Sequence, residues 1–111
     1  MNFSTRVQDD VTIVDIEGNL HTMTAPTAHG EIESLLAEGQ KTILVNLTKL
    51  DYTSSAGLRV LLALAKELEK VGGKLHLCSL NQTVREIFEM SGFDGILNVF
   101  PSEAEALAAF R

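Results

Sequence analysis

The chain opens on two runs rich in β-branched residues, Phe3-Ser-Thr-Arg-Val7 and Val11-Thr-Ile-Val-Asp-Ile16, separated by Gln8-Asp9-Asp10. This composition predicts two strands joined by a hairpin turn. Gly18-Asn19 is expected to break the second strand. From Thr24 the spacing changes, with Ile32, Leu35 and Leu36 recurring at three and four until Gly39. That pattern predicts an amphipathic helix with Pro26 near its start. Thr42-Ile-Leu-Val-Asn-Leu47 is too short for a helix and too continuously apolar for a half-exposed strand, so it fits a central strand covered on both faces.

After a connection through Leu50-Asp-Tyr-Thr-Ser-Ser55, the residues Leu58, Leu61, Leu62, Ala65 and Leu68 form a wide apolar stripe. Arg59, Lys66, Glu67, Glu69 and Lys70 fall mostly off it, and Gly72-Gly73 ends this second helix. Lys74-Leu-His-Leu-Cys78 alternates as a strand does. A third helix over 81–90 follows, with Ser79-x-x-Gln82 as its capping box, Gly92 as its stop, and Val84, Ile87, Phe88 and Met90 as core positions. A last strand over 96–100 leads through Pro101 into Ser102-x-x-Glu105, a second capping box before an alanine-rich helix expected to pack on the sheet with Phe110. The order ββαβαβαβα gives the α/β class: a mixed, mostly parallel five-stranded sheet opening with a β-hairpin, its helices mainly on one face.

Composition narrows the possibilities. With 111 residues, 45% hydrophobic and 22% charged, the chain is expected to form one domain over 1–111 and to bury roughly two thirds of its unfolded surface. The single Cys78 can form no internal bridge and fits a reducing compartment. The N-terminal residues carry no apolar signal core, so a cytoplasmic location is expected. The longest apolar stretch, 56–65, is interrupted by Arg59 and falls short of the roughly 20 residues of a membrane span. Nine Lys and Arg against 15 Asp and Glu leave a net charge of -6. With its basic residues dispersed, the chain is not expected to bind nucleic acid.

Enzyme signatures are mostly missing. Gly72-Gly73-Lys74-Leu75 lacks the upstream glycine and the hydroxyl residue of a phosphate-binding loop, and no G-x-G-x-x-G follows the first strand. Thr53-Ser54-Ser55-Ala56-Gly57 departs from a nucleophile elbow at its first residue, with no evident His/Asp pair to complete a triad. His21, His29 and His76 are far apart in sequence and are expected to be surface or half-buried imidazoles. Cys78, with no basic neighbour in sequence, is expected to be buried and inert. No catalytic residue, metal ligand or cofactor is therefore expected.

The segment that stands out is Thr53-Ser54-Ser55, three hydroxyl residues between a buried strand and an apolar helix. Ser54 or Ser55 would cap the helix by accepting a hydrogen bond from a free amide, while Ala56 and Gly57 permit close packing on the sheet. The same free amides and helix dipole would stabilise an added anion, so a phosphoserine here would be accommodated locally. It would add about -1.5 to -2 charge to an exposed loop.

The run Asp51-Tyr-Thr-Ser-Ser-Ala-Gly-Leu-Arg-Val-Leu-Leu62, with Gly18-Asn19-Leu20 after the second strand and the element order above, resembles the STAS domains of bacterial anti-sigma factor antagonists. The resemblance covers essentially the whole chain. It implies phosphorylation of Ser55, with Ser54 as the alternative, by a serine kinase of ATPase fold that is also the anti-sigma factor. It also implies a partner switch: the unphosphorylated domain binds the kinase and frees the sigma factor, the phosphorylated domain lets go, and a serine phosphatase resets it. Gly18, Asn19, Leu20, His21, Asp51, Thr53, Ser54, Ser55, Gly57, Leu58 and Arg59 would form the docking surface, and the domain would not be an enzyme. Ser54 and His21 stand where many antagonists carry Asp. That removes two hydrogen-bond acceptors from the switch, with Asp51 as a partial substitute and His21 able to face an introduced phosphate. Two alternatives keep their own predictions: a STAS adaptor subunit of a transporter or signalling assembly with no phosphoserine switch, and a nucleotide-binding domain.

Overall fold

A computed structural model describes all 111 residues. Strands β1 (Asn2–Gln8) and β2 (Val11–Leu20) form an antiparallel hairpin whose two turn residues, Asp9 (φ 53°) and Asp10 (φ 65°), are both left-handed. Such a turn matches the twist of its flanking strands, and Asp tolerates this conformation better than most residues do. Then come α1 (Ala25–Ala37), β3 (Thr42–Asn46), β4 (Leu50–Thr53), α2 (Ser55–Lys70), β5 (Lys74–Cys78), α3 (Gln82–Ser91), β6 (Asn98–Phe100) and α4 (Glu103–Ala108). The sheet runs β1-β2-β3-β5-β6, parallel after the hairpin, with β4 pairing only with β2.

The sheet thus has six strands rather than the expected five, and both departures arise at one place. β2 does not break at Gly18-Asn19. Its register shifts there, with Gly18 at φ 110° and its amide donating to the Lys49 carbonyl at 3.1 Å. The bulge turns the end of β2 away from β3 and onto β4, the segment expected to be a plain connection. Leu50 and Thr53 face inward while Asp51 and Tyr52 are exposed, so these four residues carry no alternation to reveal a strand.

The helices do lie mainly on one face. Ala28 and Ile32 of α1, Leu58, Leu61, Leu64 and Leu68 of α2, and Val84 and Phe88 of α3 pack on Val14, Ile16, Ile43, Val45, Leu75 and Leu77. α3 ends at Gly92 as expected, in the left-handed conformation (φ 75°), but departs from expectation at its cap and at Met90. Asn81, not Ser79, caps it by accepting from the Val84 amide at 2.8 Å, while Ser79 takes φ 65°. Met90 is 88% exposed, because the helix face it occupies has no neighbour to cover it. The last strand begins at Asn98, two residues later than predicted, because Phe93–Gly95 forms a 3₁₀ turn after α3.

α4 alone covers the other face, with Ala106 and Leu107 on Val11, Ile13, Leu44 and Cys78. His76 is almost fully buried there, not at the surface. Its ring stacks on Phe110 with centroids 3.7 Å apart, and its Nδ1–H donates to the Ala106 carbonyl at 3.0 Å. Arg6 of β1 holds the start of α4: it donates to both carboxylate oxygens of Asp15, at 2.8 and 3.1 Å, and to Glu103. Cys78 is fully buried, and desolvation raises its thiol pKa, in agreement with an inert role. No helix is long and apolar enough to cross a membrane.

Candidate functional site

The two segments singled out in the sequence meet at one end of the sheet. Asn19 pairs with Tyr52 and Leu20 with Thr53, and the Leu20 carbonyl accepts from the Ser54 amide at 2.9 Å. The next turn packs so closely on this junction that a Cβ at Gly57 would sit 2.6 Å from both the Leu20 carbonyl oxygen and Thr53 Oγ1. Only a residue without a side chain fits at that point.

Helix α2 starts at Ser55 because Ser54 takes the extended conformation of an N-cap (φ -102°, ψ 173°) and its Oγ accepts from the Gly57 amide at 3.3 Å. The Ser54 carbonyl receives the Leu58 amide at 3.1 Å, the first bond of the helix. Ser54 is therefore the cap. Ser55, the first helical residue, is exposed and its hydroxyl has no hydrogen-bond partner. A helix gives the amides of Ser55 and Ala56 no intrahelical acceptor, so they complete a small positive pole under that hydroxyl. Arg59, one turn further along the same face, is exposed and in no ion pair, and i,i+4 spacing brings it within side-chain reach of Ser55.

The loop after β2 is fixed by its own side chains. Thr24 Oγ1 donates to the Asn19 carbonyl at 2.7 Å and accepts from the His21 amide at 3.0 Å. His21 Nδ1 accepts from the Met23 amide at 3.1 Å, which leaves Nε2 to carry the proton of the neutral ring. On the other flank, Asn81 Nδ2 donates to the Leu50 carbonyl at 2.9 Å and ties the cap of α3 to β4.

The expected docking residues divide into two groups. Leu20, Thr53, Gly57 and Leu58 are buried, so they hold the surface from beneath and present no side chain to a partner. Asn19, Asp51, Ser55 and Arg59 are exposed, and Gly18, His21 and Ser54 partly so. Sequence reasoning missed two neighbours, Met23 (82% exposed) in the His21 loop and Tyr52 (44%) on β4. Large apolar side chains inside otherwise polar connecting segments were the available signal. None of the three surface clefts is lined by residues 18–21 or 51–59, so this end of the sheet presents an open surface rather than a cleft. Asp51 and Arg59 supply its formal charges, one of each sign, and the dianion of a phosphoserine would set the sign of the whole face.

The sequence profile of the STAS domain matches residues 2–106. The chain is 41% identical over 103 residues to BtrV of Bordetella bronchiseptica, which is described as an anti-sigma factor antagonist, spanning 93% of this chain and 89% of that one. A Thermotoga maritima structure described in the same terms superposes with a TM-score of 0.89 at 23% identity, over 96% of this chain and 92% of the other. The phosphorylated form of the Bacillus cell fate determinant SpoIIAA gives a TM-score of 0.71 at 25% identity, over 99% and 100% of the two chains. With this fold and this junction of β2, β4 and α2, the chain belongs to the STAS-domain family of anti-sigma factor antagonists.

Proposed function

We propose that the chain is a phosphorylation-controlled partner switch that binds an anti-sigma factor serine kinase of ATPase fold when unmodified, so releasing a sigma factor, and lets the kinase go when Ser55 is phosphorylated. A serine phosphatase would restore the binding form. The observation that carries this reading is the division of labour between adjacent serines: Ser54 is committed to the cap, while Ser55 stands exposed and unbonded. Ser54 Oγ is half-buried and engaged with the Gly57 amide, whereas the Ser55 hydroxyl is exposed and free to meet a phosphoryl donor, which makes Ser55 the favoured acceptor. The solved phosphorylated form of SpoIIAA, a domain of the same fold, supports the reading. Local charge is sufficient for release, because trapping an unpaired dianion in an interface costs several kcal/mol.

The test is capture from a lysate of the source organism with unmodified chain, Ser55→Ala and Ser55→Asp, followed by titration of the captured kinase. The expected outcome is similar affinity for the first two and about a hundredfold or greater loss for Ser55→Asp, equivalent to about 2.7 kcal/mol. Equal affinity of all three would instead establish a constitutive adaptor, with no switch at this helix start.

A further inference from the structure

Away from the proposed docking face, α1 and α2 bring together three potential metal ligands, two of them one turn apart on α1 and the third more than thirty residues further along the chain. The pair is His29 and Glu33, and Glu67 reaches across from α2. His29 Nε2 lies 3.3 Å from Glu33 Oε1 and 3.5 Å from Glu67 Oε1, and the three ligand atoms are all within 4.8 Å of one another. We propose that His29, Glu33 and Glu67 form a divalent transition-metal site of the Zn²⁺ class that clamps α1 to α2.

The geometry is that of an open zinc site. Ligand atoms about 2.0–2.1 Å from a tetrahedral zinc are separated from one another by about 3.3–3.4 Å. Both edges that meet at His29 Nε2 are already close to this length. The remaining edge, between the two carboxylates, closes by side-chain rotation, which their partial exposure permits. An entering ion would take the place of the direct Nε2–carboxylate contacts and bridge the same three atoms. One imidazole and two carboxylates balance the charge of a divalent ion, and the imidazole favours Zn²⁺, Co²⁺, Ni²⁺ or Cu²⁺ over Mg²⁺ or Ca²⁺. Three protein ligands leave the fourth position for water. The consequence is mechanical: α1 follows the His21 loop and α2 begins at Ser55, so the clamp would join the two helices that carry the docking segments.

The experiment uses the intact chain with Zn²⁺, Co²⁺ and Mg²⁺ added separately in a non-chelating buffer. Free Zn²⁺ at tenfold above its dissociation constant is expected to raise Tm by about 5 °C or more, while the same concentration of Mg²⁺ leaves it unchanged. Co²⁺ is expected to give a visible ligand-field band. Glu67→Gln and His29→Gln are each expected to weaken Zn²⁺ binding at least about tenfold and to remove that band. Far-UV circular dichroism checks that each variant keeps its helices, and Glu33→Gln substitutes for either one that does not. No Zn²⁺ binding up to about 1 mM, or equal binding by parent and variants, would overturn the proposal. Neither result bears on Ser55, because the kinase titration needs no added metal.

Discussion

At the scale of single residues, the helix start separates two tasks that its sequence leaves merged. Ser54 satisfies a backbone donor and Ser55 presents a hydroxyl to solvent, so substituting them has different consequences. Ser54→Ala removes the cap and is expected to lower stability by about 1 kcal/mol. Gly57→Ala places a methyl group 2.6 Å from the Leu20 carbonyl oxygen and Thr53 Oγ1, an overpacking expected to cost about 1–3 kcal/mol. Ser55→Ala, which breaks no bond, is expected to be near neutral. Urea midpoints of the three variants check this order, and a Ser55→Ala loss as large as that of Ser54→Ala would reverse the assignment. The hydroxyl run was legible in the sequence because a cap is a local pattern. Which serine caps was not, since that depends on where the backbone turns helical, a one-residue distinction. The exposure of Met23 and Tyr52 was hidden for another reason: it depends on which tertiary neighbours are missing.

At the scale of elements, α4 shows how far local signals reach. Its capping box was legible, and Ser102 Oγ accepts from the Glu105 amide at 3.2 Å. What anchors it was not, because Arg6 lies at the opposite end of the chain and His76 on a strand between. The same distance effect hid β4, which pairs only with the bulged end of β2. The anchors of α4 also make its docking pH-dependent. Burial lowers the pKa of His76 below its ordinary 6.5, outweighing the hydrogen bond to Ala106. Between that lowered value and 6.5 the unfolded chain binds more protons than the folded one, so the contribution of His76 to stability is present above 6.5 and declines as the pH falls. Glu103 is held below its ordinary 4.5, first by the hydrogen bond from Arg6 and then by that from Asn46. Its contribution persists above 4.5 and is lost below. Urea midpoints are therefore expected to fall in two windows on acidification, the upper one removed by His76→Gln and the lower one reduced by Glu103→Gln. A flat response between pH 7 and 5 in the parent would contradict the buried neutral state of His76.

At the scale of the whole molecule, the two faces of the sheet serve different ends. Three helices and most of the core stabilise one face, while a short helix and a small cluster close the other. The continuous apolar run of β3 announced a strand covered on both sides, and the alternation of strands and helices announced the parallel sheet. The strand order β1-β2-β3-β5-β6 had no local signature, because pairing between strands is decided by contacts across the chain. The end of the sheet where β2, β4 and α2 meet was legible only through family resemblance, since hydrophobic periodicity says nothing about which loops share an end.

The bond from the Ser54 amide to the Leu20 carbonyl and the close packing of Gly57 above it join the two proposed docking segments into one continuous surface. On the proposed function a binding partner would meet a finished surface, and the consequence concerns time. Association with such a surface proceeds in one step at an ordinary rate, about 10⁵–10⁷ M⁻¹s⁻¹, and differences in affinity fall mainly on dissociation. At physiological salt, Ser55→Asp is accordingly expected to change the association rate constant by less than about tenfold and to take most of its effect from the lifetime of the complex. Stopped-flow measurements against the kinase separate the two rates, and a slow phase independent of kinase concentration would mean that the surface assembles only after encounter. Under the proposed switch, phosphorylation would set a clock on the complex: it would decide how long the partners stay together, while how often they meet would be left nearly unchanged.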